Sequence, residues 1–240
     1  MSDYLSRGFN GSCIGTVAGF GGGLVAHPLT EFAARIQAKR ETGMSSIAFA
    51  RSTTVTQLVK GAPQAAMRDA PFIGCAFAAL EVVSYGGLGL NAREDNVWTR
   101  FGKAATGGCV GGVLEAGMAG AAPRIPAAAL SRAVFFGIDA AVRPTIEVRE
   151  REQQRVLYVP RLAVGWYSAA VARVLSQPVW AVCDAAHASN TSLPEAGRAL
   201  LRKGGVAGLY RGMGTSVLGA VGGATTLVIY NLLRDLSPSL

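Results

Sequence analysis

Charge is scarce in this sequence. Only 16% of the 240 residues are charged, against 50% apolar, which leaves too few polar side chains to coat a water-soluble globule and points to a membrane. Long apolar runs are missing as well. Any spans must therefore be moderately polar helices packed on one another and not isolated greasy anchors. Cysteine is sparse: Cys13, Cys75, Cys109 and Cys183 lie far apart with no CxxC pair. That argues against a disulfide framework or a cysteine-based metal centre, and the four read as small buried residues in a reducing compartment. The two histidines, His27 and His187, follow no metal-ligand spacing and read as structural, so no metal is expected. GxSxG, HExxH and Walker patterns are absent, and GFGGGL at 19–24 fails the GxGxxG pattern at Leu24. Neither an enzyme nor a cofactor is expected.

Positive charge is in excess, with a net +8 and a pI near 9.7, but it is scattered. The one dense run, VREREQQR at 148–155, alternates in sign and reads as a solvated segment. A nucleic-acid partner would rest on the pI alone and is not expected. The start, MSDYLSRGFN, has an acid at Asp3 and no apolar stretch before a small-residue cleavage site, so no secretory signal is expected and targeting should be internal.

Glycine is abundant, at 31 residues, and it is patterned. In GFNGSCIGTVAGFGGGLVAHPLTEFAARIQ (8–37) it falls at 11, 15, 19 and 23, ahead of Pro28. In water each glycine costs a helix about 1 kcal/mol and a proline about 3. In lipid the balance differs, because helices associate by close backbone approach and a glycine every four residues makes a flat seam on one face. Neighbouring helices can satisfy the backbone group a proline frees, so Pro28 predicts a kinked span.

The plan recurs. Gly15 precedes Pro28 by 13 residues, as Gly165 precedes Pro178, and the next basic-glycine turn follows at Gly61 and Gly212, 33 and 34 residues beyond those prolines. A shorter unit lies between, GGCVGGVLEAGMAGAAP (107–123) followed by PAAALSRAVFFGIDAAV (126–142). Only 9 residues separate Pro123 from Arg132, against 40 from Pro28 to Arg68, so this unit lacks its connector. The reading is an all-α membrane protein with three repeats, 1–90, 91–150 and 151–240, and six spans near 8–37, 62–86, 98–122, 126–143, 160–187 and 213–235. A ~30 Å hydrocarbon core needs about 20 helical residues; the fourth span is marginal.

PLTEFAARIQ (28–37), RAVFFGID (132–139) and GLYRGMGTSVLGAVGGATTLVIYNLLR (208–234) resemble the mitochondrial carrier family, the last two being similar to ADP/ATP carriers. The resemblance implies three two-helix repeats in a threefold barrel in the mitochondrial inner membrane, termini toward the intermembrane space; Arg and Lys on both sides leave orientation undecided by charge. It also implies two gates. At the matrix gate the kink prolines are Pro28, Pro123 and Pro178; the acid positions read Thr30, Ile125 and Trp180, and the base positions Ala33, Ala128 and Cys183, so no pair is expected. At the opposite gate Glu81 faces Ser84, Asp139 faces Val142, and Tyr230-Asn231 is followed by Arg234. No unit is expected to form its own ion pair there, although Glu81, Asp139 and Arg234 can form a network between units. By the resemblance Arg68 stands at the family's first substrate contact, Arg132 lies near the second and Gly219 is at the third, with pairing of Arg68 to Asp69 or a carbonyl and of Arg132 to Glu115 or Asp139 as the structural alternative. Gly208, Tyr210, Arg211 and Gly212 are the candidate site for a membrane lipid such as cardiolipin. With both gates degenerate and one connector gone, the expected function is a non-transporting accessory subunit, partnered by other inner-membrane subunits of a respiratory-chain or ATP-synthase assembly. The alternative is a divergent carrier of a small anionic metabolite.

Overall fold

The glycine-spaced opening segment folds as one helix, α1 (Ser2–Arg40), with Pro28 inside it. The computed structural model describes residues 2–40, 54–91, 94–154 and 156–236. After α1 come α2 (Val55–Val59), α3 (Ala62–Ala79) running on as a π-helix (Leu80–Gly87), α4 (Val97–Met118), α5 (Ile125–Gln153), α6 (Tyr158–Ser189), α7 (Leu193–Leu209) and α8 (Met213–Leu236). No strand occurs among the described residues. The six long helices close a ring: each packs on its neighbours in the order α1, α3, α4, α5, α6, α8, and α8 returns to α1. The helical runs Val55–Gly87, Ala122–Gln153 and Ser216–Leu236 are long and apolar enough to cross a membrane. The odd-numbered spans, α1, α4 and α6, match them in length but are diluted by glycine and by charges such as Glu115 and Arg173.

The predicted glycine seam is the α1–α3 contact. Gly11, Gly15, Gly19 and Gly23 all lie against α3 or its π-helical end. At Gly15 a Cβ would stand 2.7 Å from the Phe77 Cβ and 3.1 Å from the Gly74 Cα, so only glycine permits the approach. A second seam closes the ring, since a Cβ on Gly22 would lie 2.7 Å from the Gly222 carbonyl of α8. The helix-propensity cost of these residues is offset by backbone packing that no larger side chain allows.

Pro28 and Pro178 sit inside α1 and α6, and the residue before each reaches the following even helix. The His27 Nε2 lies 3.3 Å from the Lys60 carbonyl oxygen, and the Gln177 amide donates to the Arg211 carbonyl at 3.5 Å. Each carbonyl precedes a left-handed glycine, Gly61 (φ 86°) or Gly212 (φ 85°), that opens α3 or α8, a conformation that favours glycine. The middle segment differs from expectation. Pro123 lies in a 3₁₀ turn (Ala122–Arg124) outside α4, which ends at Met118. With no connector to accommodate, the chain reverses over 119–124 and needs no kink there.

The fourth span is longer than its sequence suggested. It continues through Pro144 to Gln153, so it is not marginal, and most of the 148–155 run is helix. Arg149, Arg151 and Glu152 are exposed as expected, but Glu150 turns inward. Cysteine burial also needs correction: Cys13 and Cys109 are exposed, Cys75 is half-buried and only Cys183 is buried. The outer face of a membrane-embedded ring meets lipid, so a small apolar residue can be exposed there without meeting water.

The start of α1 and the end of α8 lie at one mouth of the ring. Near the start of α1, Tyr4 borders Gly86 and Gly8 borders Val82, while Arg234 of α8 meets Glu81. This is the terminal mouth. Pro28, Pro178, α2 and α7 mark the opposite, connector mouth. At the terminal mouth the Asp95 carboxylate accepts the Asn91 N–H at 2.9 Å and the Lys103 ammonium at 2.7 Å. These partners, the Asn91 N–H foremost, hold its pKa below the usual carboxylate range.

Candidate functional site

Three levels stack along the ring axis. On α3, Arg68, Asp69 and Ile73 face a cavity, Phe77 and Leu80 are buried above them, and Glu81 and Tyr85 follow. On α5 the same order is Arg132, then Phe136 and Asp139, then Arg143; on α8 it is Gly219 and Thr226, then Leu227 and Tyr230, then Arg234. A helix rises about 1.5 Å per residue, and the climb from cavity to plug is 9 residues on α3 (Arg68 to Phe77), 4 on α5 (Arg132 to Phe136) and 11 on α8 (Gly219 to Tyr230), so Arg132 stands nearer the plug than Arg68 or Gly219.

The middle level is a plug. Phe77 stacks on Tyr230 with ring centroids 3.9 Å apart and meets the edge of Phe136 at 5.1 Å. Above it, the Tyr230 hydroxyl donates to Glu81 Oε1 at 2.5 Å, and the same oxygen lies 3.3 Å from Arg234 Nε. The Arg234 guanidinium also sits 4.0 Å from the centre of the Tyr85 ring. Thus Glu81 and Arg234 do connect α3 to α8, while Asp139 does not join them. It pairs with Arg143 one turn along its own helix, so the middle unit has its own acid-base contact, displaced by one residue from Val142. Helix geometry explains this, because residues four apart face each other as well as residues three apart. Arg161 adds a bridge, 2.7 Å from Glu150 and 2.9 Å from Asp235.

The π-helix bears on this arrangement. Wider turns re-aim side chains and recur at functional sites. Here Glu81 and Tyr85 both reach Arg234, whereas Ser84 turns to α4 and donates to the Lys103 carbonyl at 2.9 Å. A cavity of about 410 Å³ beyond the plug is lined by Arg100, Arg143, Arg161 and Arg234 with Glu147, Asp235 and Asn231. Asn231 is buried and its Oδ1 has no hydrogen-bond partner among the described residues.

The lower level is a cavity of about 880 Å³. Arg68, Arg132 and Gly219 all line it. The structural alternatives for both arginines are realised: Arg68 bonds Asp69 at 2.8 Å and Arg132 bonds Glu115 at 2.6 Å. Gly219 brings its helix close to Thr30, whose Cγ2 would stand 3.2 Å from a Cβ at that position. The cavity reaches the connector mouth, where the Arg68 side chain is 74% exposed.

Of the matrix-gate positions, Thr30, Ala128 and Trp180 line this cavity, Cys183 is buried and Ile125 is half-buried. Ala33 lies in α1. None of these positions carries a charge, yet a pair stands one place away: Arg124 Nε is 2.8 Å from Asp184 Oδ1. The base adjoins the acid position Ile125 and the acid adjoins the base position Cys183, so the polarity is exchanged. Arg173, also absent from the sequence-based candidates, faces the cavity and lies 5.6 Å from the Trp180 ring centre. An arginine amid the apolar stretch 162–183 was the available signal. At the candidate lipid site, the amides of Tyr210, Arg211 and Met213 donate to carbonyls within the Ala207–Tyr210 turn, so these groups are already engaged.

Six long helices thus close a ring around a cavity shut toward one face, and three of its helical runs are long and apolar enough to cross a membrane. The family model for mitochondrial carrier protein matches residues 154–239, from the end of α5 through α8. No curated protein matches the chain.

Proposed function

We propose that this protein is a carrier that moves a small anionic solute across the mitochondrial inner membrane. The observation that carries the reading is the pairing of an arginine-lined cavity, open at the connector mouth, with a plug and ion-pair layer that shuts the terminal mouth. Alternating access requires two states of similar energy, each closed by its own contacts. The Glu81, Tyr230 and Arg234 cluster serves one state. Arg124 and Asp184 are already bonded at the open connector mouth, so closing that mouth needs contacts beyond this pair. Family resemblance sets the terminal mouth toward the intermembrane space. Purified protein in liposomes tests this: saturable uptake or exchange of an anion supports it, and folded protein that moves none of a broad anion panel overturns it.

The missing middle connector favours a second reading, an accessory subunit of a larger inner-membrane assembly. Residues 119–124 join α4 to α5 without a connector helix, whereas α2 and α7 occupy the other two connectors. Native gels after mild detergent extraction decide that reading. Migration within a large complex supports it, and a free monomer removes it.

A further inference from the structure

The charges around the central cavity do not cancel. Arg68 has Asp69, Arg132 has Glu115 and Arg124 has Asp184, each base bonded to one carboxylate at 2.6–2.8 Å. Arg173 makes no ion pair among the described residues; its guanidinium rests near the Trp180 ring, within the range of a cation–π contact. Four bases against three acids leave one positive charge. Part of the same cavity's wall is apolar, lined by Phe72, Ile73 and Phe135.

We infer that Arg173 is the anchoring residue of the cavity, and that the solute is a singly charged organic acid with an apolar body. The inference rests on the carrier reading. A carboxylate can form a bidentate contact with a guanidinium, and Trp180 restrains that guanidinium from one side. A second or third negative charge on the solute would have to displace Asp69 or Glu115 from its arginine. Nucleotides and tricarboxylates are therefore disfavoured by charge and not by size. The site lies on α6, an odd-numbered span, whereas Arg68, Arg132 and Gly219 line the same cavity from the even-numbered spans.

The test is uptake into proteoliposomes of radiolabelled pyruvate, phenylpyruvate, malate, citrate and ADP, with mutual competition. Phenylpyruvate and pyruvate are expected to be taken up and to compete best. Arg173→Gln is expected to reduce that uptake about tenfold to a hundredfold, the size of a lost charge-assisted contact, while Arg173→Lys retains part of it. Glu115→Gln frees Arg132 and is expected to shift preference toward malate. Preference for malate, citrate or ADP by the unmodified protein, or full activity in a folded Arg173→Gln variant, overturns the inference and leaves the carrier reading standing. Uptake of none of the five overturns both. If Arg173→Gln fails to fold, the competition order in unmodified protein and the Glu115→Gln shift decide the matter.

Discussion

Glu81→Gln isolates the terminal closure. The substitution preserves shape and one acceptor oxygen but removes the charge that holds both the Tyr230 hydroxyl at 2.5 Å and Arg234 at 3.3 Å. Hydrogen bonds to a charged group contribute about 1.5–3 kcal/mol, and neutral ones about 0.5–1.5, so each contact loses roughly 1 kcal/mol. The Arg234 side chain is 34% exposed, which discounts its share by solvent screening. A net loss of about 1.5 kcal/mol moves the balance between closed and open terminal mouths by roughly tenfold. The assay is maleimide labelling of Thr226→Cys, below the plug, in protein whose four native cysteines are replaced by alanine. Reagent supplied from the terminal side is expected to label the Glu81→Gln protein faster by that order, and from the connector side no faster. Equal rates from the terminal side in both proteins would show that the ion-pair layer does not govern closure.

Other consequences can be measured on purified protein. Gly112→Val places a side chain where a Cβ would stand 2.5 Å from the Ala128 carbonyl, and should lower stability by about 1–3 kcal/mol through overpacking, seen as a lower thermal midpoint in detergent. Gly102→Ala meets nothing within 4 Å and should gain up to about 1 kcal/mol from helix propensity in the same melt. Asp95 contributes through a lowered pKa, so its stabilisation is present above about pH 4, the unfolded carboxylate value, and is lost as pH falls through the lower folded value. The difference in midpoint between wild type and Asp95→Asn should stay constant from neutral pH to about 4 and close below it.

The helix plan was legible because its signals are periodic. Four glycines at fixed spacing, two kink prolines and two basic-glycine turns placed five of the six spans within a few residues of their observed ends, except that α1 begins earlier. α5 was cut short because alternating charge in VREREQ reads as solvent-facing whether it is helical or not. The ion pairs were less visible. Glu81 and Arg234 were recognisable as unpaired charges at matching depth in separate repeats. Asp139 with Arg143 was missed because the expected partner lay three residues on. Arg124 with Asp184 was missed because each sits one place from a motif position, and the contact depends on how the shortened turn lies against α6. Arg173 was overlooked although a lone arginine in an apolar helix is itself a signal. What remained hidden was that its neighbours were each satisfied by another carboxylate, and such pairing appears only in three dimensions.

The abrupt reversal at 119–124 makes the ring unequal. An iris with one pair of leaves riveted together cannot dilate evenly. Opposite that rivet, the first and last spans meet closely where Gly22 faces Gly222, with Thr226 and Ile229 of α8 against α1 as well. Such a barrel is built with its stiffest corner on one side and its tightest backbone contact on the other.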